Sequence, residues 1–271
     1  MDSASFRFNF GGDAAPALPL PDLADAAADL PPACEVKVDL SAAFETEEVL
    51  VGSRRLLKAR AQTVSAATAA FSACSDLLPG RYEGGLKLWE CALDLCAFLE
   101  EGSCPPLTGA SVLELGAGHG LPGVTAALLG AEEVAFQDFN EAVLHAATAP
   151  AVAANLPGNR PRLRFFAGDW GALQEAIPGG RYHLILSSDT VYSPSATPRL
   201  LALIIHALQP SGVALIAAKT FYFGVGGGTR DFAALAEAGG FAVRSVASFR
   251  DGVSNVREIL WLQRPPIAGD V

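Results

Sequence analysis

The sequence predicts an α/β fold, a mostly parallel sheet of seven strands with one antiparallel strand and helices on both faces. Three observations carry that expectation. From residue 85 onward short apolar runs alternate with helical patterns, and such alternation builds parallel sheets from crossover units. The last two runs, "FAVRSVASF" and "NVREILWLQR", follow each other with no helix between them, so one of them runs antiparallel at the sheet end. The first run ends in a glycine-rich turn that opens a helix, the place where open α/β sheets bind ligands.

The elements follow in order. Residues 1–33 are rich in Ala, Pro and Asp and read as an acidic leader with no fold of its own. "CEVKVDL" alternates like a short strand and begins an N-terminal extension and cap over 34–84, in which the Ala-rich stretch 53–77 reads as partly helical. The main domain spans 85–265, and 266–271 is a tail. "LWECALDLCAFLEE" (88–101) sets Leu88, Cys91, Leu95 and Phe98 on one helical face. Then come strand "ASVLELG", helix "LPGVTAALLGA", strand "EEVAFQDF", helix "EAVLHAATAPAVAANL" and strand "RLRFFAGDW". A short helix leads to strand "YHLILSSD", then helix "SATPRLLALIIHALQ", strand "GVALIAAK", helix "TRDFAALAEAGG" and the two closing strands.

Composition bounds the possibilities. With 271 residues, 51% of them hydrophobic, the chain buries a sizeable core. No apolar run approaches the roughly 20 residues that cross a bilayer, and the early acids argue against a signal peptide, so a soluble intracellular protein is expected. The net charge is −10, with ten Asp and Glu in the first fifty residues against Arg7 and Lys37. That excludes nucleic-acid binding by bulk electrostatics and suits a basic partner, unless the acidity serves solubility alone. Five cysteines without a CxxC pair fit reduced thiols in the cytosol or nucleus, and four scattered histidines suggest no metal site.

"VLELGAGHGLPG" (112–123) raises the question of what comes so close to the backbone. Gly116, Gly118 and Gly120 leave room for a ligand against main-chain amides. A dinucleotide fingerprint needs G-x-G-x-x-G, and position 121 is Leu. Glu114, just before the glycines, would repel a pyrophosphate and attract a cationic amino-acid end. The second strand ends in "FQDFN", where Asp138 can accept two hydrogen bonds from a ribose diol; Asp138 or Asn140 as a helix cap is the plain alternative. The third ends in "GDW", where Asp169 can accept from an adenine amino group and Trp170 can stack, unless the Trp only closes the sheet edge. Together the strand ends suit one nucleoside-plus-amino-acid ligand, S-adenosyl-L-methionine.

"ELGAGHG", "QDFN", "GDW" and "SSDTVY" resemble the motifs of Rossmann-like, seven-stranded class I methyltransferases, most closely the branch that methylates proteins. "PGRYEGGLKLWECALDL" (79–95) and "KTFYFGVGGGTRDF" (219–232) resemble the histidine protein methyltransferase family, and "FRFNF" looks like that family's start. The resemblance covers residues 76–263 well and 1–75 weakly. It implies transfer to a histidine, at the tele nitrogen, of a large-subunit ribosomal protein. It places Trp89, Glu90, Cys91, Gly116, Gln137, Asp138, Gly168, Asp169, Trp170 and Ser187 or Ser188 around the cofactor. The family often has "TSETIY" where this chain has "SSDTVY", so Asp189 stands one carbon shorter than Glu.

A histidine nucleophile needs little base catalysis, because free imidazole, with a pKa of about 6.5, is mostly neutral at cellular pH. The enzyme has to fix the tautomer. Asp189 is the candidate acceptor of the ring N–H or of the released proton, with Tyr192 shaping the slot. In "FYFGVGGG", Phe221, Tyr222, Phe223 and Gly224 read as a mobile lid on the substrate, as an amide nest, or as a plain loop. Tyr82 and Glu83 before paired glycines read as a flap over the pocket or a hairpin covering the sheet. A lysine methyltransferase of the same branch would use "DTVY" equally well, and a non-catalytic binding module would keep the fold without transfer. The chain is read as a monomer acting on a basic protein, in cytoplasm or nucleus, without membrane or direct nucleic-acid contact.

Overall fold

The computed structural model describes residues 32–60, 81–158, 160–250, 252 and 255–265. The leader up to residue 31, the stretch 61–77 and the tail lie outside the described residues. The strands are β1 (Cys34–Glu35), β2 (Thr46–Val51), β3 (Arg54–Ala59), β4 (Ser111–Leu115), β5 (Glu133–Asp138), β6 (Arg162–Ala167), β7 (Tyr182–Ser188), β8 (Leu208–Lys219), β9 (Ala242–Phe249) and β10 (Arg257–Gln263). The helices are α1 (Glu90–Glu100), α2 (Leu121–Leu128), α3 (Glu141–Val143), α4 (Ala149–Asn155), α5 (Thr197–Ala207) and α6 (Thr229–Ala238), with a π-helical turn, Leu144–Thr148, joining α3 to α4.

The main sheet has the order β1-β6-β5-β4-β7-β8-β10-β9. Strands β4 to β8 pair in parallel, and β10 is antiparallel to both β8 and β9. All seven expected strands form. An eighth, β1, adds antiparallel to β6 at the edge and takes up the first residues of "CEVKVDL". Residues 54–59 pair with β2 as a β-strand, and the rest of the stretch expected to be helical in part, 61–77, lies outside the described residues. One expectation is corrected. The short helix expected between β6 and β7 is a run of turns over 170–176.

The central strands β4, β5, β7 and β8 are buried on both faces, which is why they read as continuous apolar runs. Successive side chains point to opposite faces. Val112, Leu184, Leu186 and Leu215 pack with Leu95 and Phe98 of α1 and Val124 of α2 on one side. Leu113, Ile185 and Ile216 pack with Leu200 and Ile204 of α5 and Phe232 of α6 on the other. The chain leaves β4 toward β5 and β6, then returns to β7 on the other flank of β4. That reversal opens a crevice at the carboxyl ends of β4 and β7.

Candidate functional site

A cleft, partly open to solvent, lies there. Segments from five places in the sequence line it: 83–92, the glycine turn after β4, the ends of β5 and β6, and the β7 end through the start of α5.

The glycine turn is shaped by close approach. Gly118 has φ +52, and a Cβ there would stand 3.0 Å from the Gly85 carbonyl oxygen, so the residue lets the turn and the 83–89 segment meet. The turn is also strapped from beneath. Asp138 Oδ2 accepts from Gly118 N–H at 3.0 Å, and Thr148 of the π-helical turn donates to the Gly118 carbonyl at 2.7 Å. Burial raises the Asp138 carboxyl to about 6 against the hydrogen bonds it accepts from the Asn140 and Gly118 N–H groups.

Buried Gln137 ties three strand ends together. Its Oε1 accepts from Gly116 N–H at 3.2 Å and from Trp170 Nε1–H at 2.8 Å, and its Nε2 donates to the Gly168 carbonyl at 2.9 Å. The Trp170 ring is therefore held by its edge. Asp169 Oδ1 accepts from Arg199 Nε–H at 2.9 Å and from Gly171 N–H at 2.8 Å, so Arg199 joins the cleft wall from α5.

Asp189 sits at the end of β7 in a left-handed conformation, φ +53, the single positive φ outside glycine among the described residues. Its Oδ2 accepts from Cys91 N–H at 3.1 Å, at the start of α1, and its Oδ1 accepts from the Tyr222 hydroxyl at 2.7 Å. Burial pushes its carboxyl up, and the hydrogen bonds from Tyr222 and Cys91 pull it back. Tyr192 donates to Glu83 Oε2 across the cleft and meets the Tyr222 ring edge-on at 6.2 Å between centroids.

The segment 81–89 is a folded flap. Trp89 Nε1–H donates to the Gly84 carbonyl at 3.0 Å, and Leu86 N–H donates to the Tyr82 hydroxyl at 3.1 Å. His119 reaches the Leu86 carbonyl through Nε2 at 3.1 Å, and burial lowers its ring to about 4, so it is a neutral donor there.

Of the residues named from sequence, Trp89, Gly116, Gly118, Asp138, Gly168, Asp169, Trp170, Ser188, Asp189 and Tyr192 line the cleft. Others do not, and the reasons are physical. Glu114 turns under the glycine turn, 1% exposed, and its Oε2 accepts from Gly123 N–H at 2.8 Å in the first turn of α2. It is a buried helix-terminus acid whose burial raises it to about 8. Glu90 points outward to Lys219 Nζ at 3.1 Å, and Cys91 is buried with its thiol held well above the usual range by burial. Ser187 donates to the Leu115 carbonyl at 2.8 Å inside the sheet. Asn140 Nδ2–H donates to the Arg81 carbonyl at 2.8 Å, anchoring the flap. Tyr82 shapes the flap turn from behind, packed on Val143 and Ala147. Gln137 acts through Trp170 and Gly116.

The "FYFGVGGG" loop stands beside the cleft as a finger held by contacts with the chain around it. Gly227 has φ +71, and a Cβ there would come 2.3 Å from the Val191 carbonyl oxygen. Gly226 N–H donates to the Tyr222 carbonyl at 3.0 Å, Gly228 N–H to the Val191 carbonyl at 3.0 Å, and Asn255 to the Phe221 carbonyl at 2.7 Å. Tyr222 points inward to Asp189, while Phe221 and Phe223 stack edge-on at 5.2 Å in solvent, 48% and 78% exposed. Gly224 is exposed at the tip. Glu83, His119, Thr190 and Arg199 complete the wall. Of these, the spacing could not signal Arg199, which lies 30 residues from Asp169.

Sheet order and cleft define a class I methyltransferase fold. The chain belongs to the protein family described as lysine methyltransferase, which it matches over residues 80–222. It is 42% identical over 187 residues to the "Histidine protein methyltransferase 1 homolog" of Dictyostelium discoideum, covering 69% of this chain and 60% of that one. It is 35% identical over 242 residues to the protein of the same name from Rattus norvegicus, covering 76% and 67%. The chain thus spans about 60% of the first of these relatives and two thirds of the second. The solved structure of an arsenic(III) S-adenosylmethionine methyltransferase from Chlamydomonas reinhardtii superposes with a TM-score of 0.50 at 20% identity, covering 68% of this chain and 76% of that one, which speaks for the fold.

Proposed function

We propose that this chain is a protein methyltransferase that uses S-adenosyl-L-methionine and acts on a histidine. One observation carries the reading. Three successive strand ends, at Gly116, Asp138 and Asp169–Trp170, turn into a single cleft, and a fourth brings Asp189 and Tyr192 to the same space. The residues fit the ligand class: amides on a glycine turn, two carboxylates for hydroxyl or amino donors, and an aromatic ring held by its edge. When bound, the cofactor supplies a methyl group on a good sulfur leaving group.

The chain's own residues then have to orient an acceptor and exclude water. The flap covers the glycine turn through the Gly85–Gly118 contact. The β7 end, through Asp189 and Tyr222, fixes the wall on the acceptor side. Histidine is favoured by similarity to the named histidine methyltransferases, while the family's description favours lysine. A basic protein of the large ribosomal subunit, met in cytoplasm or nucleus, is the proposed substrate. Its positive charge would complement the chain's net −10.

The test is a transfer assay with isotope-labelled cofactor and ribosomal proteins from cells lacking the enzyme, the label mapped by peptide mass spectrometry. Label on one histidine supports the reading. Label on lysine moves the protein to the other branch of the family, and cofactor binding without transfer to any protein makes it a binding module.

A further inference from the structure

The edge of the sheet beside β6 carries a short strap, residues 33–38. Its β1 pairs antiparallel with β6, Cys34 opposite Ala167 and Glu35 opposite Phe166, and Val36 N–H donates to the Phe165 carbonyl at 2.8 Å. Arg164 grips Glu35 with two donors, Nε–H to Oε1 at 2.9 Å and Nη2–H to Oε2 at 2.8 Å. These bonds hold the Glu35 carboxyl below its usual range. The same guanidinium lies 4.7 Å over the Phe166 ring. The strap packs on both faces of the sheet: Val36 and Val38 on the core beneath α1 and α2, Ala33 on the opposite core, which Trp170 also joins.

Where the strap reaches the carboxyl end of β6, the cleft begins. Gly168 follows β6 directly and lines the cleft with Asp169 and Trp170. It stands at φ +119, and a Cβ there would come 2.6 Å from the Ala33 Cα and 2.9 Å from the Pro32 carbonyl oxygen. Strap backbone and cleft wall therefore meet with no side chain between them. Gly168 also accepts from Gln137 Nε2–H, on the amide that holds Trp170, and donates to the Asp138 carbonyl. The strap, Gln137 and β5 thus fix one turn of chain.

We propose that the strap is a working part of the cofactor site: its clasp on β6 positions Gly168 to Trp170, so strap docking and cofactor binding favour each other. The inference rests on the cleft being the place where S-adenosyl-L-methionine binds. Ala33, Glu35 and Arg164 are positioning residues, since none of them lines the cleft. An edge strand of two residues is held weakly by its own pairing, so a ligand can bias it. With the strap released, Gly168 loses its Ala33 contact, and glycine has the widest backbone freedom of any residue. Ordering that turn then falls on the incoming cofactor, which weakens its binding.

Two measurements on the full chain test this. Coupling between sites is reciprocal, so saturating S-adenosyl-L-methionine should slow amide hydrogen exchange over residues 33–38 by about fivefold. β9, the edge strand at the opposite end of the sheet, should be unchanged. Calorimetric titration should give a cofactor Kd about tenfold weaker for Glu35→Ala and for Val36→Pro, which removes the N–H given to Phe165. Arg55→Ala, which removes an exposed ion pair with Glu48 on the β2–β3 hairpin, should stay within about twofold. Exchange over 33–38 that the cofactor leaves unchanged, or slows no more than over β9, overturns the proposal. So does either variant if residues 33–38 exchange as open chain while Kd stays at the wild-type value; a lower Tm alone would make the strap an edge cover. Wild-type protein that binds no cofactor refutes the reading of the cleft itself, visibly before any variant is compared, and the role of the strap falls with it.

Discussion

Asp189→Ala should destabilise the fold more than a surface change at a catalytic site would. The side chain closes two buried donors, Cys91 N–H and the Tyr222 hydroxyl. Leaving each donor unsatisfied costs about 1–3 kcal/mol. Alanine also tolerates φ +53 less well than aspartate, by about 1 kcal/mol. Removing a buried carboxylate, whose raised pKa marks its desolvation, offsets part of this. The net is on the order of 3 kcal/mol, or roughly 6–12 °C in Tm for a domain of this size. Urea or thermal unfolding followed by circular dichroism reads it directly. Tyr222→Phe should cost about 1–2 kcal/mol, and the double variant should lose less than the sum, because the two share one hydrogen bond. Asp189→Ala that melts within a degree of wild type while losing all transfer would refute the reasoning. It would return Asp189 to the role of proton acceptor.

Two further outcomes follow from the same geometry. Glu114 ionises near 4.5 in the unfolded chain and near 8 in the fold, so between those values the folded state holds a proton that the unfolded state releases. Stability is full below 4.5 and falls as pH rises through 8, by about 1.4 kcal/mol per unit at most; Glu114→Gln, which keeps an acceptor for Gly123, should flatten the unfolding midpoint between pH 6 and 9. The Phe221→Ser/Phe223→Ser double variant removes two exposed rings that meet edge-on, so Tm should hold within about 2 °C. KM for the protein substrate should rise at least fivefold in a steady-state transfer assay, with cofactor affinity unchanged.

The strand pattern was readable because a sheet covered on both faces writes itself as apolar runs, and Val112, Ile185 and Leu215 each fell in one. The glycine turn was readable for the same reason that a ligand suits it: few side chains fit there. What sequence could not show was direction. Glu114 and Gln137 lie in strands buried on both faces, so alternation alone does not say that one turns under α2 and the other toward Trp170. The run at Gly226 to Gly228 reads equally as a hinge or as close packing, and the close packing shows only in space, where a Cβ at Gly227 or Gly228 would run into the Val191 or the Thr220 carbonyl. Gly52-Ser53 is a two-residue hairpin signal between β2 and β3, and the Ala-rich run that follows Arg60 masks it by giving the stretch a helical composition.

The position of β10 sets the order in which the sheet can close. Among the described strands it is made after all the others, yet it lies between β8 and β9 and supplies partners to both. As the chain emerges from a ribosome, the β8 edge, with Val213 to Ala218 all apolar, waits for roughly 40 further residues before anything can cover it. β9 meanwhile has no strand to pair with. An uncovered apolar edge is a template for pairing with other chains. A chain cut before Arg257 is thus expected to aggregate rather than fold to a smaller sheet, and it is β10, not the cleft, that closes this sheet.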